Sequence, residues 1–266
     1  MIQRFSFDAL SILNELRSFG ELAKFYRDSA RIPLPAHRRE RSVLLIPGFL
    51  AGDASLYPLA DWMRARGHHV FFSGIFTNAD CPRRVLQRLG AIVADMSAQH
   101  REHLTVIGHS LGGIYARELA RRYPGQIEQV ILLGAPIHDP LHSSNPSVRA
   151  VALFCACLQE ALRGCSGGFA TVCGVNRSEP PPVPETIIYS KRDGVVDWHS
   201  CLEYGPEVET IEVDSTHCAM PYCLEVLRII AARLEGDALA APGEAKRSRV
   251  DQWSETKQAG ESASNV

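Results

Sequence analysis

The sequence lacks the features that mark membrane proteins, secreted proteins and nucleic-acid-binding proteins. No window approaches the roughly 20 apolar residues that a membrane-spanning helix needs. The first thirty residues show no secretory pattern, because Asp8 and Glu15 interrupt the apolar positions. The formal net charge is only −2, so no excess of one sign attracts nucleic acid or anionic lipid. These absences predict a soluble, cytoplasmic protein with no nucleic-acid partner and no stable membrane insertion.

The sequence also lacks the cysteine spacing of a metal site. Its eight cysteines do not form paired Cys-x-x-Cys motifs with nearby histidines, so no metal is expected. In a reducing cytosol, buried thiols act as small hydrophobic side chains, and this is the interpretation that we prefer. A disulfide is the alternative.

What the sequence does contain is an alternation of short aliphatic runs with longer helical patterns. This alternation predicts an α/β fold, a mostly parallel sheet of about six strands with helices on both faces. The predicted strands are 43–46, 69–72, 104–108, 130–133, 186–189 and 208–213, and the helices between them fall near 55–66, 81–99, 111–123 and 221–234. One catalytic domain over 43–235 is expected.

Three segments depart from this alternation. Residues 1–42 are predicted to form an amphipathic helix packed on the domain, followed by a basic connector, and a membrane-surface helix is the alternative. The helical period is carried by Leu10, Leu13, Leu16, Phe19 and Leu22. Residues 138–182 are too long for an ordinary connection and predict an inserted cap with a helix near 148–162. Residues 236–266 have few large apolar side chains and predict a disordered tail.

The most specific local signal is a serine between glycines, Gly-His-Ser-Leu-Gly-Gly at 108–113. It follows an apolar run and precedes a helical pattern. A serine on a sharp turn between strand and helix projects its hydroxyl above the sheet, and glycines two positions away relieve crowding there. We therefore predict that Ser110 is a catalytic nucleophile. The alternative is a glycine-rich turn in which Ser110 only caps the helix.

A serine nucleophile needs a base, and His217 is the predicted one. It follows the strand pattern at 208–213 and precedes the last helical pattern, so a loop can carry its ring to the edge of the sheet. A histidine exposed on the surface is the alternative for this residue. His109 is a poorer base, because adjacent side chains on a tight turn point in different directions.

The base in turn needs a carboxylate that fixes its tautomer and stabilises the imidazolium. Asp193 is the predicted acid, since it lies just past the strand pattern at 186–189 and Gly194 permits a sharp bend after it. Asp197 is the alternative.

The oxyanion of a tetrahedral intermediate needs two backbone N–H donors. Leu111, which follows the nucleophile, is predicted to supply one of them. The loop after the first strand is predicted to supply the other, from Phe49 or, failing that, Leu50, because Gly48 permits close approach of the backbone.

Four of these segments together resemble the α/β-hydrolase superfamily, in particular its lipases and esterases. They are Leu-Ile-Pro-Gly-Phe at 45–49, Gly-His-Ser-Leu-Gly-Gly at 108–113, Asp-Gly-Val-Val at 193–196 and Ser-Thr-His at 215–217. The order of serine, acid and histidine is that of this superfamily. Pro47 departs from the pattern, since many lipases have histidine at that position. The resemblance implies ester hydrolysis through an acyl-enzyme without a cofactor. It also implies neighbouring acid and histidine loops, so Cys201 and Cys218 are a hypothetical disulfide.

The predicted cap contains apolar residues at 151–154 and Leu158. An apolar cap over a polar catalytic cluster favours a small-molecule, hydrophobic ester with an uncharged acyl group. Those side chains could instead form only a satellite core, so lipase and short-chain esterase both stay open. Two further functions stay open, an acyltransferase that uses the same serine and a non-catalytic binding protein of the hydrolase fold. The oligomeric state is not indicated.

Overall fold

The computed structural model describes residues 15–32, 40–100, 104–163, 175 and 180–235. Six parallel strands form one sheet in the order β2-β1-β3-β4-β5-β6. The strands are β1 Ser42–Ile46, β2 His69–Phe72, β3 Leu104–His109, β4 Ile127–Leu133, β5 Glu185–Tyr189 and β6 Val208–Glu212. The predicted α/β fold is therefore confirmed, while the predicted tail at 236–266 lies outside the described residues.

Helices cover both faces of the sheet. They are α1 Ser18–Asp28, α2 Tyr57–Arg64, α3 Pro82–His100, α4 Leu111–Arg122, α5 Pro146–Arg163 and α6 Leu224–Glu235. Successive side chains of a strand point to opposite faces, so Leu44 and Ile46 of β1 enter a core with α3 and α4. Val43 and Leu45 enter a second core with α1, α2 and α6. The central strands are buried on both faces, which explains their continuous aliphatic runs.

Parallel strands bring all their carboxyl ends to one edge of the sheet. The loops that follow β1, β3, β5 and β6 therefore open on the same edge, and these loops carry the predicted site residues. The strand order also reverses at β1, which lies between β2 and β3. Ligands of open α/β sheets bind beyond the carboxyl ends of the strands, near such a reversal.

A helix lies in the described part of the N-terminal segment, but it buries a different face from the one that was predicted. Helix α1 contacts α6 and the short 3-10 helix Met220–Tyr222, and its Phe25 lies in the second core. Leu16 and Phe19, which were expected in the packed stripe, are 61% and 71% exposed. The stripe was assigned from an apolar period that continues back to Leu10 and Leu13, which lie outside the described residues. In the folded chain Phe25 packs in the second core, whereas Leu16 and Phe19 do not.

The preferred interpretation of buried cysteines as thiols holds for Cys201 and Cys223, whereas the hypothetical disulfide between Cys201 and Cys218 is wrong, as is the thiol interpretation for Cys81. Cys201 and Cys218 are both free thiols. Cys201 is buried in the core beside α3 and α4, whereas Cys218 is exposed, so the two side chains point to different environments. Cys81 is disulfide-bonded rather than a buried thiol.

Candidate active site

Ser110 lies on a strained turn between β3 and α4. Its backbone has φ 54° and ψ −120°, a conformation that residues other than glycine rarely adopt. The turn depends on the flanking glycines, because a Cβ on Gly108 would lie 2.3 Å from the Gly112 carbonyl oxygen. A Cβ on Gly112 would lie 2.2 Å from the Ile46 carbonyl oxygen. The spacing of these glycines is therefore what lets the backbone present the Ser110 side chain at the sheet edge.

His217 and Asp193 form a buried pair. The Nδ1–H of His217 donates to Oδ2 of Asp193 over 2.5 Å, and the two side chains are 5% and 2% exposed. The other oxygen of Asp193 accepts the backbone N–H groups of Val195 and Val196. Every oxygen of this carboxylate thus has a donor, which fixes its orientation and leaves Nε2 of His217 as the unprotonated ring nitrogen.

The two alternatives lie in different contacts. Asp197 accepts from its neighbour His199, with 2.7 Å between Oδ1 and Nδ1, and not from His217. His109 is buried, and its Nε2–H donates to the backbone carbonyl of His217 over 3.0 Å. The His109 ring lies 4.9 Å from the His217 ring, centroid to centroid. His109 therefore holds the backbone of the histidine loop through this hydrogen bond.

Sequence reasoning missed three residues around the acid and histidine loops: Ser190 and Arg192 join the two loops, and Gly134 leaves room for the His217–Asp193 pair. Ser190 donates its hydroxyl to the Ser215 carbonyl over 2.6 Å, so the start of one loop is tied to the other. Gly134 has φ 57°, and a Cβ there would lie 3.2 Å from Nδ1 of His217 and 3.3 Å from Oδ2 of Asp193. Arg192 forms an exposed ion pair with Asp214 across the two loops. The signal for Gly134 was its place directly after a buried strand.

The loop after β1 lies close to Ser110. A Cβ on Gly48 would approach Cβ of Ser110 to 3.1 Å, so this glycine permits the close contact that was predicted. Leu50 has φ 59°, and its N–H donates to the Asn78 carbonyl over 3.1 Å, so the alternative oxyanion donor is already occupied. Asn78 is fully buried, and its side-chain amide also donates to the Pro47 carbonyl over 2.8 Å. Asn78, also missed from the sequence, thereby shapes the loop that contains Phe49.

A cavity of about 440 Å³ opens above these residues. Ser110, His217, Phe49 and Leu111 all line it, so the structure brings the predicted nucleophile, base and oxyanion loop to one space. The contacts among the described residues include no hydrogen bond between the Ser110 hydroxyl and the His217 ring. In enzymes without substrate, such bonds are often long and tighten only in the complex.

The cap forms one wall of this cavity. Val148, Val151 and Ala152 on α5 line it, as helical spacing allows, whereas Leu153 and Phe154 do not and are exposed. The expectation that the whole run 151–154 covers the site is therefore half correct, and the side chain of Leu158 lies outside the described part. Among the described residues of the lining, Arg149 alone carries a permanent charge.

The electrostatics of the two histidines differ sharply. Burial by itself lowers the pKa of the His217 imidazole, but the charge and hydrogen bond of Asp193, together with the charge of Glu15, outweigh burial and raise that pKa above its ordinary 6.5. Burial, followed by the neighbouring His217, lowers the pKa of His109 to about 3. His109 is therefore uncharged at neutral pH, whereas His217 binds a proton more readily than an ordinary histidine does.

The described residues contain no cluster of three His, Cys, Asp or Glu side chains arranged to hold a metal ion. Among the same residues, no helix has the length and apolar character needed to cross a membrane.

Comparison of sequences finds one family. Residues 68–231 match the model of an uncharacterised protein family, UPF0227. No curated protein matches the sequence of the chain.

Comparison of structures finds lipases and esterases. A chain from the study of LipS and LipT, two metagenome-derived lipolytic enzymes, is 18% identical with a TM-score of 0.56, covering 74% of this chain and 94% of that one. A monoacylglycerol lipase of Paleococcus ferrophilus is 14% identical with a TM-score of 0.54, covering 74% and 96%. Carboxylesterase CesB of Bacillus subtilis is 13% identical with a TM-score of 0.52, covering 84% and 99%. At these identities the likeness concerns the fold, and it confirms the α/β-hydrolase fold.

Proposed function

The chain belongs to the uncharacterised protein family UPF0227 and has the α/β-hydrolase fold, and from this premise we propose that it hydrolyses carboxylic esters. One observation carries the proposal. The strained Ser110 and the buried His217, whose ring is hydrogen-bonded to Asp193, line the same largely apolar cavity although they are distant in sequence. A base oriented by a carboxylate beside a serine is the arrangement that activates a hydroxyl near neutral pH.

In the proposed acylation, the Ser110 oxygen attacks the ester carbonyl carbon while Nε2 of His217 takes the hydroxyl proton. The carbonyl oxygen becomes an oxyanion, which the backbone N–H groups of Leu111 and Phe49 stabilise. Leu111 is the first residue of α4 and lines the cavity, so its N–H has no carbonyl partner within the helix and lies at the positive end of the helix dipole. His217 then returns the proton to the departing alcohol, and the acyl group stays on Ser110.

Deacylation repeats these steps with water as the nucleophile. Nε2 of His217 takes a proton from water, the hydroxide attacks the acyl carbon, and the bond to the Ser110 oxygen breaks. The serine oxygen regains its proton from His217, and the carboxylic acid leaves. Asp193 stabilises the imidazolium that forms in both halves and does not itself transfer a proton.

The cavity wall indicates the class of ester. Most of its lining is aliphatic or aromatic, from Phe49, Leu50, Ile114, Val148 and Val151. An apolar wall binds an uncharged, hydrophobic acyl group better than a charged one, because a charge would lose its hydration there. We therefore expect neutral acyl esters to be preferred over charged esters of equal length, despite Arg149.

A panel of 4-nitrophenyl esters tests this function. Acetate, butyrate, octanoate and laurate esters distinguish a short-chain esterase from a lipase, and the hemisuccinate tests a charged acyl group against butyrate. Ser110→Ala should lose about 10⁴ or more in kcat. Ser147→Ala, which changes another serine of the same cavity wall, is the matched control and should keep its activity. Hydrolysis that persists in folded Ser110→Ala protein would reject the proposed mechanism.

The cytoplasmic location stays a prediction. The disulfide at Cys81 speaks against a reducing compartment, in which such bonds are rare. Fractionation of the source cells, with the redox state of Cys81 measured in each fraction, decides whether the protein lies in the reducing cytoplasm or in an oxidising compartment.

A further inference from the structure

The carboxylate of Glu15 accepts three backbone N–H groups from the loops of the candidate site. Its Oε1 accepts from Gly194 over 3.0 Å and from His217 over 3.1 Å. Its Oε2 accepts from Cys218 over 2.8 Å. Glu15 lies outside the family match at 68–231, and nothing in the sequence pattern marked it as part of the site.

All three donors belong to the proposed acid and base loops, directly at or beside the proposed catalytic residues. Gly194 follows Asp193 directly, and the other two are His217 itself and its neighbour. Hydrogen bonds to an ionised carboxylate are shorter and about twice as strong as bonds between neutral groups. One side chain therefore holds the backbone beside the proposed acid and the backbone of the proposed base in a single network.

We propose that Glu15 is a positioning residue of the hydrolase, which fixes the acid and histidine loops relative to each other and places a second negative charge beside the base. The inference rests on the proposed roles of Ser110, Asp193 and His217.

The N-terminal segment is anchored well enough to hold Glu15 in place. Phe25 of α1 is 4% exposed and packs in the core with α6. Beyond the helix, the indole N–H of Trp62 donates to the Ser29 carbonyl over 3.2 Å, and Arg66 donates to the same oxygen. Glu15 is thus presented by a segment that is fixed to the domain through other contacts.

The charges around His217 determine the direction in which its pKa should move when the Glu15 charge is removed. Among the described residues, Asp193, Glu15 and His109 are the titratable groups that act on His217, and His109 is neutral. Among the same residues, the titratable groups that face Glu15 are Cys218 and Tyr222. Desolvation of the sulfur and the Glu15 carboxylate raise the pKa of Cys218 to about 12, and burial chiefly raises the pKa of Tyr222, so neither carries charge near pH 7. Removing the Glu15 charge should therefore lower the pKa of His217.

The test compares Glu15→Gln, Glu15→Asp and Glu21→Gln in the full chain. Glu15→Gln keeps the shape and removes the charge. Glu15→Asp keeps the charge but is one methylene too short to hold all three N–H groups. Glu21→Gln is the matched control, since Glu21 pairs with Lys24 on the surface of the same segment. The measurements are kcat and KM against pH, and the titration of the His217 ring by NMR, assigned with His217→Ala.

For Glu15→Gln, we expect kcat to fall about tenfold with KM within about twofold, because the base is misplaced while the cavity is intact. Its acid limb and the His217 titration should both move to lower pH. Glu15→Asp should lose kcat with the His217 titration near that of the wild type, and Glu21→Gln should change neither.

Three results would overturn the inference. They are an unchanged Glu15→Gln enzyme, a loss of kcat in Glu15→Gln without any shift of its His217 titration, and an equal effect in Glu21→Gln. If Glu15→Gln fails to fold, the kcat of Glu15→Asp decides, and wild-type turnover there rejects the positioning role. The NMR titration needs no turnover, so a protein that cleaves no ester but shows the shift would refute the proposed function and leave the contact of Glu15 with the base intact.

Discussion

Strand β5 has one buried ion pair at its amino end and another just beyond its carboxyl end, and the two pairs differ in their hydrogen bonding. At its amino end, Glu185 is 1% exposed and lies 3.0 Å from Nε of Arg117. Beyond its carboxyl end, Asp193 is also buried and is hydrogen-bonded to His217. Both oxygens of Asp193 have well-aligned donors, whereas in the described part of the chain neither oxygen of Glu185 has a hydrogen bond of good geometry.

The difference shows that a buried ion pair alone does not identify a site. Burial raises the pKa of Glu185 to about 7, with the Arg117 charge offsetting only part of that effect. A perturbed pKa of this kind also occurs in structural ion pairs. The pair at the carboxyl edge is distinguished by the cavity above it and by the serine that opens on the same cavity. The predictions that follow test whether the two ends differ in function as they do in structure.

The largest expected effect comes from removing the charge at the carboxyl edge. Asp193→Asn should lower kcat by about 10⁴, because an amide no longer fixes the His217 tautomer or stabilises the imidazolium. Asp197→Asn is the matched control and should stay within about threefold of the wild type. The measurement is steady-state hydrolysis of the best ester of the panel. Equal losses in both variants would contradict the choice of Asp193.

The pH dependence should follow the raised pKa of His217. The base must be neutral to accept the Ser110 proton, so kcat/KM should rise with pH and level off above the ordinary histidine value of 6.5. Below that pKa the loss is about tenfold per pH unit for a single protonation. A rate profile of the wild type measures it. Full activity retained at pH 5 would contradict the raised pKa.

A smaller effect is expected from the residue that shapes the oxyanion loop. Asn78→Ala removes the hydrogen bond to the Pro47 carbonyl and should lower kcat about tenfold with little change in KM. Gln129→Ala is the control at the amino end of β4, where its side chain bonds Thr105 and the Arg233 carbonyl. It should cost stability, about 1 kcal/mol, without loss of turnover. Comparable losses of kcat in Asn78→Ala and Gln129→Ala would contradict the proposed role of Asn78 in shaping the oxyanion loop.

The smallest effect on turnover should come from the amino edge. Glu185→Gln should keep kcat within about twofold, because Glu185 lies at the opposite end of β5 from the cavity. It should instead change the pH dependence of stability. The folded protein holds the Glu185 proton up to about pH 7, while an unfolded glutamate releases it near 4.5, so this group's contribution is present at low pH and lost as pH rises through 7.

Urea unfolding at pH 5 and pH 8 measures that contribution. The wild type should lose about 1 to 3 kcal/mol more than Glu185→Gln between the two values. An identical pH dependence in both proteins would refute the raised pKa of Glu185. A large loss of turnover in Glu185→Gln would break the distinction between the two ends of the strand.

Sequence reasoning predicted the sheet and the segments that meet at its edge, because buried parallel strands are continuous aliphatic runs and glycines mark the sharp turn at Ser110. It placed β4 three residues late, since Glu128 and Gln129 interrupt the apolar pattern although they lie in the strand. It missed Asn78 and Glu15, whose importance comes from contacts with distant backbone groups. A polar residue in a loop gives no sign in the sequence of which remote N–H or carbonyl it will meet.

Covalent labelling tests the central claim most directly, because it requires a nucleophilic serine and no knowledge of the natural ester. The folded protein is treated with a fluorophosphonate, and the adduct is located by peptide mass spectrometry. The account predicts one adduct per chain, on Ser110, absent in Ser110→Ala and strongly slowed in His217→Ala. A wild-type protein that stays unlabelled, or that carries its adduct on another residue, would contradict it.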